Sequence, residues 1–131
     1  LKIIVVSGFR RPEIQNYLYL NYFRVFGKRA IDIIARAGHS EHQLGTAVDL
    51  DSYSSRTGLE KPFEKTKEGE WLKENSWKYG FIMSYPKGKK KITGYDYEPW
   101  HFRYLGKEHS AEIINKNLTL IEYLKNRGNY E

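Results

Sequence analysis

The sequence predicts a small α+β domain, and three observations carry that class. The chain has 131 residues, the size of one core, because two halves would each bury too little apolar surface to fold. Strand-sized runs, β-branched or alternating, occur at residues 3–6 and 46–50, while helical periodicity marks residues 12–23 and 66–79. Helices come first and most strands later, an order consistent with a sheet flanked by helices. With 40% hydrophobic, 15% aromatic and 29% charged residues, the chain has enough apolar material for a core and too little net charge for disorder.

Taken in order, Ile3, Ile4, Val5 and Val6 form a first strand that ends at Ser7-Gly8 and leaves Arg10 just beyond it. Pro12 suits a first helical turn. Ile14, Tyr17, Leu18 and residues 20–22 continue that helix to Phe23, with Gln15 in its first turn. A second helix is predicted over residues 29–37, with Ile33, Ile34 and Ala37 inward and Gly38 as its stop. Residues 39–45 lack a period, and residues 46–50 alternate as a strand with Ala47 and Asp49 on one face. A polar loop covers residues 52–62. Thr66 then opens a helix through Trp71, Leu72, Asn75 and Tyr79 that stops at Gly80. Further strands are predicted at residues 81–85, 92–97 and 100–104. Residues 86–91 form a Pro/Gly/Lys turn whose lysines are solvated, and Pro99 is confined to an edge, a start or a bulge. Two short helices close the chain, the last capped by Thr119 with Glu122 and ended by Gly128. Trp71, Trp77, Tyr79 and Phe81 are assigned to the core, and Asp51 and Asp96 to turn hydrogen bonds.

The absence of cysteine excludes a disulfide scaffold, a thiolate zinc finger, an iron–sulfur centre and a cysteine nucleophile, so any metal must use His, Asp or Glu. A balance of 22 Lys plus Arg against 16 Asp plus Glu gives +6 and favours an anionic partner. The basic residues are dispersed and no recognition motif accompanies them, which argues against nucleic acid. No apolar run reaches the roughly 18 residues of a membrane span.

Chemistry concentrates in Ser40-Glu41-His42-Gln43-Leu44-Gly45-Thr46-Ala47-Val48-Asp49 and Glu98-Pro99-Trp100-His101. His42, Asp49 and His101 offer two imidazoles and a carboxylate, a set that suits one zinc ion with a fourth position open to water. The seven-residue spacing from His42 to Asp49 would splay them on one continuous strand, so Gly45 is expected to mark a bend. Glu98, held extended by Pro99, is placed beside the metal as general base for hydrolysis of an acyl bond. Arg10, at a strand end, can clamp a carboxylate through two hydrogen bonds, with Arg11 as competitor. Trp100 serves either as core or as substrate contact. A lone histidine is usually structural, and His39 and His109 are left in that class.

At these residues the chain resembles the VanY-like D-alanyl-D-alanine carboxypeptidases, within the zinc peptidases that include VanX, the lysostaphin-type enzymes and Hedgehog domains. The resemblance runs through Ser7-Gly8-Phe9-Arg10, Ser40-Glu41-His42-Gln43 with Gly45 and Asp49, Trp71-Leu72, Tyr79-Gly80-Phe81-Ile82, Ile92-Thr93-Gly94-Tyr95 and residues 97–104. It implies a small antiparallel sheet flanked by helices, one zinc ion on His42, Asp49 and His101, and Glu98 as catalytic base. Arg10, Gln15 and Ser40 would hold the substrate's terminal peptide, with Trp100 beside them. Ala37, Thr46 and Ser84 depart from the family's usual residues. Ser84 stands where Arg is frequent before Tyr85-Pro86, so a cation near the substrate stem is missing.

The resulting expectation is a single 1–131 domain, excised from a longer chain with an upstream targeting segment. It would work as a monomeric zinc D,D-carboxypeptidase in the cell envelope, trimming the terminal D-Ala of peptidoglycan stem peptides. The alternatives are an L,D-carboxypeptidase acting on tetrapeptide stems, a D,D-endopeptidase on crosslinks, and a non-catalytic wall-binding module.

Overall fold

The apolar runs meet in one four-stranded antiparallel sheet. A computed structural model describes residues 1–128. The strands are β1 (Ile3–Ser7), β2 (Ala47–Ser52), β3 (Phe81–Met83) and β4 (His101–Tyr104), in the order β1-β2-β4-β3. In the central pair, Val48 lies opposite Phe102 and Asp49 opposite His101. Side chains directly opposite each other share a face, so this register sends Val48 and Phe102 one way and Asp49 and His101 the other.

The Val48 face is apolar. Phe63, Leu72 and Phe102 form its buried centre, with Val48, Leu50, Trp71 and Met83 packed around them. Leu72 comes from helix α3 (Lys67–Asn75), which begins at Thr66, whose Oγ1 accepts from Gly69 N at 3.0 Å. Gly69 has to be glycine, because a Cβ there would lie 2.0 Å from the Phe63 carbonyl oxygen. A second cluster joins Ile82 of β3 to Ile113 of α5 (Lys107–Asn115) and to Leu120 and Tyr123 of α6 (Leu120–Arg127). The capping box of Thr119 and Glu122 starts α6 as expected. Trp77 packs against this second cluster, whereas Tyr79, expected in the core, is 57% exposed.

Helix α1 (Pro12–Phe26) has Pro at its start and runs three residues past the expected Phe23. Gln15 is its one buried side chain. The helix expected over residues 29–37 is shorter. A 3₁₀ turn at Gly27–Arg29 leads into α2 (Ala30–Ile33), and Ile34 is already extended at φ −140 and ψ 135. The Ala35 carbonyl accepts from Gln15 Nε2 at 2.6 Å, which holds this extended segment against α1.

The strand expected at residues 92–97 is also corrected, since helix α4 (Lys90–Thr93) takes its first two residues and ends at Gly94, and residues 94–97 pair with no strand among the described residues. Lys90 Nζ pairs with Asp32 at 2.7 Å and Asp96 at 2.9 Å, and Asp96 N donates to the Asp32 carbonyl. These bonds tie the segment to α2 and away from the sheet. Lys87 pairs with Glu64, so the lysine run is not wholly a solvated tip. β3 ends at Met83, two residues before the expected limit, and β2 starts and ends slightly later than residues 46–50. The helix predicted over residues 66–79 is α3 followed by a 3₁₀ turn at Ser76–Tyr79, ending at Gly80 as expected. Asp51 accepts from Ser52 N, Thr57 N, Thr57 Oγ1 and Gly58 N, and thereby organises the loop after β2.

Candidate active site

The β2/β4 register places Asp49 and His101 side by side on the polar face of the sheet. His42 reaches them from a 3₁₀ turn at Glu41–Leu44, where Ser40 Oγ accepts from His42 N at 3.3 Å. Gly45 ends that turn at φ 72, a left-handed conformation that glycine adopts without steric cost, and the chain then turns into β2. This is the bend the spacing demanded. His42 Nε2 lies 3.1 Å from Asp49 Oδ2, and His101 Nδ1 lies 3.0 Å from Asp49 Oδ1. One ligand atom from each residue lies within 4.8 Å of the others, and all three residues are buried.

The ring nitrogens are individually assigned by their acceptors. His42 Nδ1 lies 2.7 Å from the Gly8 carbonyl, which can only accept, so Nδ1 carries the proton and Nε2 turns its lone pair toward Asp49. His101 uses the opposite nitrogen for the site, its Nδ1 facing Asp49 and its Nε2 lying 2.8 Å from Glu41 Oε2. Two imidazole nitrogens and a carboxylate, converging in a buried pocket, fit a divalent ion of zinc's ligand preference with one position left over.

Electrostatics reflect this crowding. Burial works against ionising Asp49, yet the hydrogen bond with His101 and the neighbouring His42 ring hold its carboxyl down at about 2. Burial also disfavours a charged His101, but Asp49 and Glu41 raise it to about 9. Glu98 is pushed up to about 8, chiefly by burial, with the charges of Asp49 and Glu41 adding to the rise and His101 opposing it. These are properties of the protein without a metal ion.

Glu98, Arg10, Gln15, Ser40 and Trp100 line the same cavity of about 340 Å³ as the three-residue cluster. Arg10 is held in place: Nη1 donates to Gln15 Oε1 at 2.9 Å, Nη2 to Ser7 Oγ at 2.8 Å, and Nη2 stands 3.7 Å from Asp49 Oδ2. Gln15 thus orients the guanidinium from α1 while anchoring the Ala35 carbonyl. Arg11 is exposed and does not line this cavity. His109 hydrogen-bonds Tyr123 in the α5/α6 pair, far from the cluster in the fold, as its structural assignment predicts.

Three further residues belong to the site and were given no site role by sequence, although Ser84 was noted there as a family departure. The Tyr85 ring stacks on His101, with centroids 4.9 Å apart and an angle of 21°. Glu41 accepts from His101, and Ser84 donates to Glu41 at 2.6 Å. Their one visible signal was adjacency to the two chemistry-bearing segments and to the Ser84 departure.

Comparison with known proteins identifies the family. The model of the family described as VanY, D-alanyl-D-alanine carboxypeptidase, matches residues 1–107. The chain belongs to the VanY family. Among curated relatives of this VanY-family chain, YodJ of Bacillus subtilis (strain 168) is 42% identical over 125 residues, covering 95% of the chain and 46% of YodJ. The chain therefore spans less than half of that relative's length. Among solved structures, the LdcB LD-carboxypeptidase superposes with a TM-score of 0.86 at 42% identity, covering 95% of the chain and 58% of LdcB. The D,D-pentapeptidase VanY of a VanB-type resistance cassette, solved as a glutamate-to-alanine mutant in complex with Zn(II), gives 0.80 at 36% identity, covering 95% and 72%. The expected α+β fold, a small antiparallel sheet with helices, is the fold these neighbours share.

Proposed function

We propose that this VanY-family domain is a zinc-dependent carboxypeptidase of the cell envelope that removes the terminal D-Ala from peptidoglycan stem peptides ending in D-Ala-D-Ala. The observation that carries the reading is the convergence of His42, Asp49 and His101 in one cavity with a carboxyl group, Glu98, and a fixed cation, Arg10. The Zn(II) complex of the related VanY supports the choice of metal.

In this reading His42 Nε2, an Asp49 carboxylate oxygen and His101 Nδ1 hold the ion. When bound, zinc would acidify water and polarise the scissile carbonyl. The substrate's terminal carboxylate pairs with the Arg10 guanidinium, whose aim Gln15 and Ser7 set, and this anchor fixes which peptide bond reaches the site. Ser40 and Trp100 contact the terminal peptide. Glu98 takes the proton from the attacking water as the new C–O bond forms. It returns that proton to the departing amine as the C–N bond breaks. No net proton is consumed at Glu98.

The similarity to LdcB favours a second reading, L,D-carboxypeptidase action on tetrapeptide stems, which would use the same residues. Purified protein with one equivalent of zinc, incubated with pentapeptide and tetrapeptide muropeptides, distinguishes the two by mass spectrometry. Preferential loss of D-Ala from the pentapeptide is expected. Preference for the tetrapeptide overturns the D,D assignment. Binding without release of D-Ala overturns catalysis altogether.

A further inference from the structure

We infer that Glu41 is a positioning residue of the metal centre, one that takes the Nε2–H of His101 and so commits the Nδ1 of that ring to the ion. This inference rests on the zinc reading and deepens it. A neutral imidazole carries one proton on either nitrogen, and the nitrogen without it is the ligand. Glu41 Oε2 lies 2.8 Å from His101 Nε2, on the side of the ring away from Asp49. A carboxylate there can only accept, so it selects the tautomer whose lone pair points at Asp49 and His42.

Glu41 is itself held on both oxygens. Ser84 Oγ donates to Oε2 at 2.6 Å, and Arg103 Nη1 stands 3.5 Å from Oε1. Arg103 lies two residues beyond His101 on β4 and therefore shares its face. Ser84 follows β3, is 1% exposed, and has no route to a substrate except through the residues it supports. Its hydroxyl fits beside the carboxylate, which gives this family departure a local purpose. Tyr85 stacks on the ring and restricts its rotation, so the acceptor sets the tautomer of a ring already oriented. His42 achieves the complementary choice through a backbone carbonyl, which a side-chain substitution cannot remove.

The test is zinc affinity by competition with a chromophoric chelator, together with 15N-histidine spectra of the zinc-loaded chain. Wild-type protein should show His101 protonated at Nε2 and ligating through Nδ1. E41A should bind zinc about 10- to 100-fold more weakly. E41Q, whose amide oxygen can still accept, should recover most of that loss and keep the tautomer. S84A should weaken binding by a smaller factor. Zinc affinity of folded E41A within twofold of wild type overturns the assignment, as does a wild-type His101 that ligates through Nε2. If E41A does not fold, an S84A affinity equal to wild type overturns it. Failure of wild type to bind zinc overturns the metal reading itself, a result separable from any E41A effect.

Discussion

The two faces of β2 and β4 are built from neighbouring positions yet have opposite chemistry. On one face Val48 and Phe102 pack with Leu72 and Phe63 in an apolar cluster. On the other, at the adjacent position of each strand, Asp49 and His101 are also buried but ionisable. Burying charge costs free energy unless it is paired and hydrogen-bonded, and here each acid meets a base. The apolar face supplies the hydrophobic stabilisation and fixes the register, and the register then sets the geometry of the polar face. Stability and chemistry should consequently be separable by mutation, even though the residues alternate along the same strands.

The largest effect should come from the polar face. His101→Ala should abolish stoichiometric zinc retention and bring D-Ala release to background, measured by metal analysis and mass spectrometry on the same sample. Glu98→Gln should keep one zinc per chain and lower kcat by roughly 10²- to 10⁴-fold. An unchanged kcat would remove Glu98 from the reaction.

Phe102→Ala tests the opposite face and should cost about 3–5 kcal/mol of folding stability by denaturant titration. Whatever fraction stays folded should still bind zinc. Loss of zinc from folded F102A as complete as in H101A would break the separation of the two faces. Arg10→Lys should act chiefly on KM for carboxylate-terminated stems, by roughly 10- to 100-fold, because a point charge replaces a guanidinium aimed by Gln15 and Ser7. An equal rise with a substrate amidated at its terminus would show that Arg10 does not read the carboxylate.

The smallest effect concerns pH. In the metal-free protein Glu98 holds its proton up to about 8, whereas the unfolded chain releases it near 4.5. Between these values the folded state binds more protons, so raising pH through this window lowers stability. Metal-free E98Q should melt increasingly above wild type from pH 5 to pH 8, and the gap should close near pH 4.5. A gap that stays constant would show that Glu98 is ionised in the folded state throughout.

Much of the fold and the centre of the site were legible because their signals are local. Alternation placed Ala47 and Asp49 on one face, and the Thr119/Glu122 capping box and the Gly80 stop act over three or four residues. The need for a bend at Gly45 followed from the seven-residue spacing of two ligands. The chemistry of His42, Asp49, His101 and Glu98 was visible in residue type, and family resemblance added Gln15 and Ser40.

The sequence by itself thus located the four strands that form, the caps and the donor set, since each depends on a short stretch of chain. Tertiary structure alone decided the rest. It drew the extended segment after α2 onto α1 through the Ala35–Gln15 bond, and it placed α4 over the first residues of the expected strand at residues 92–97, with Lys90 paired to Asp32 and Asp96. It also brought Glu41 to His101 across 60 positions. Such bonds join residues whose separation leaves no periodic trace, and only the packed sheet brings them within hydrogen-bonding distance.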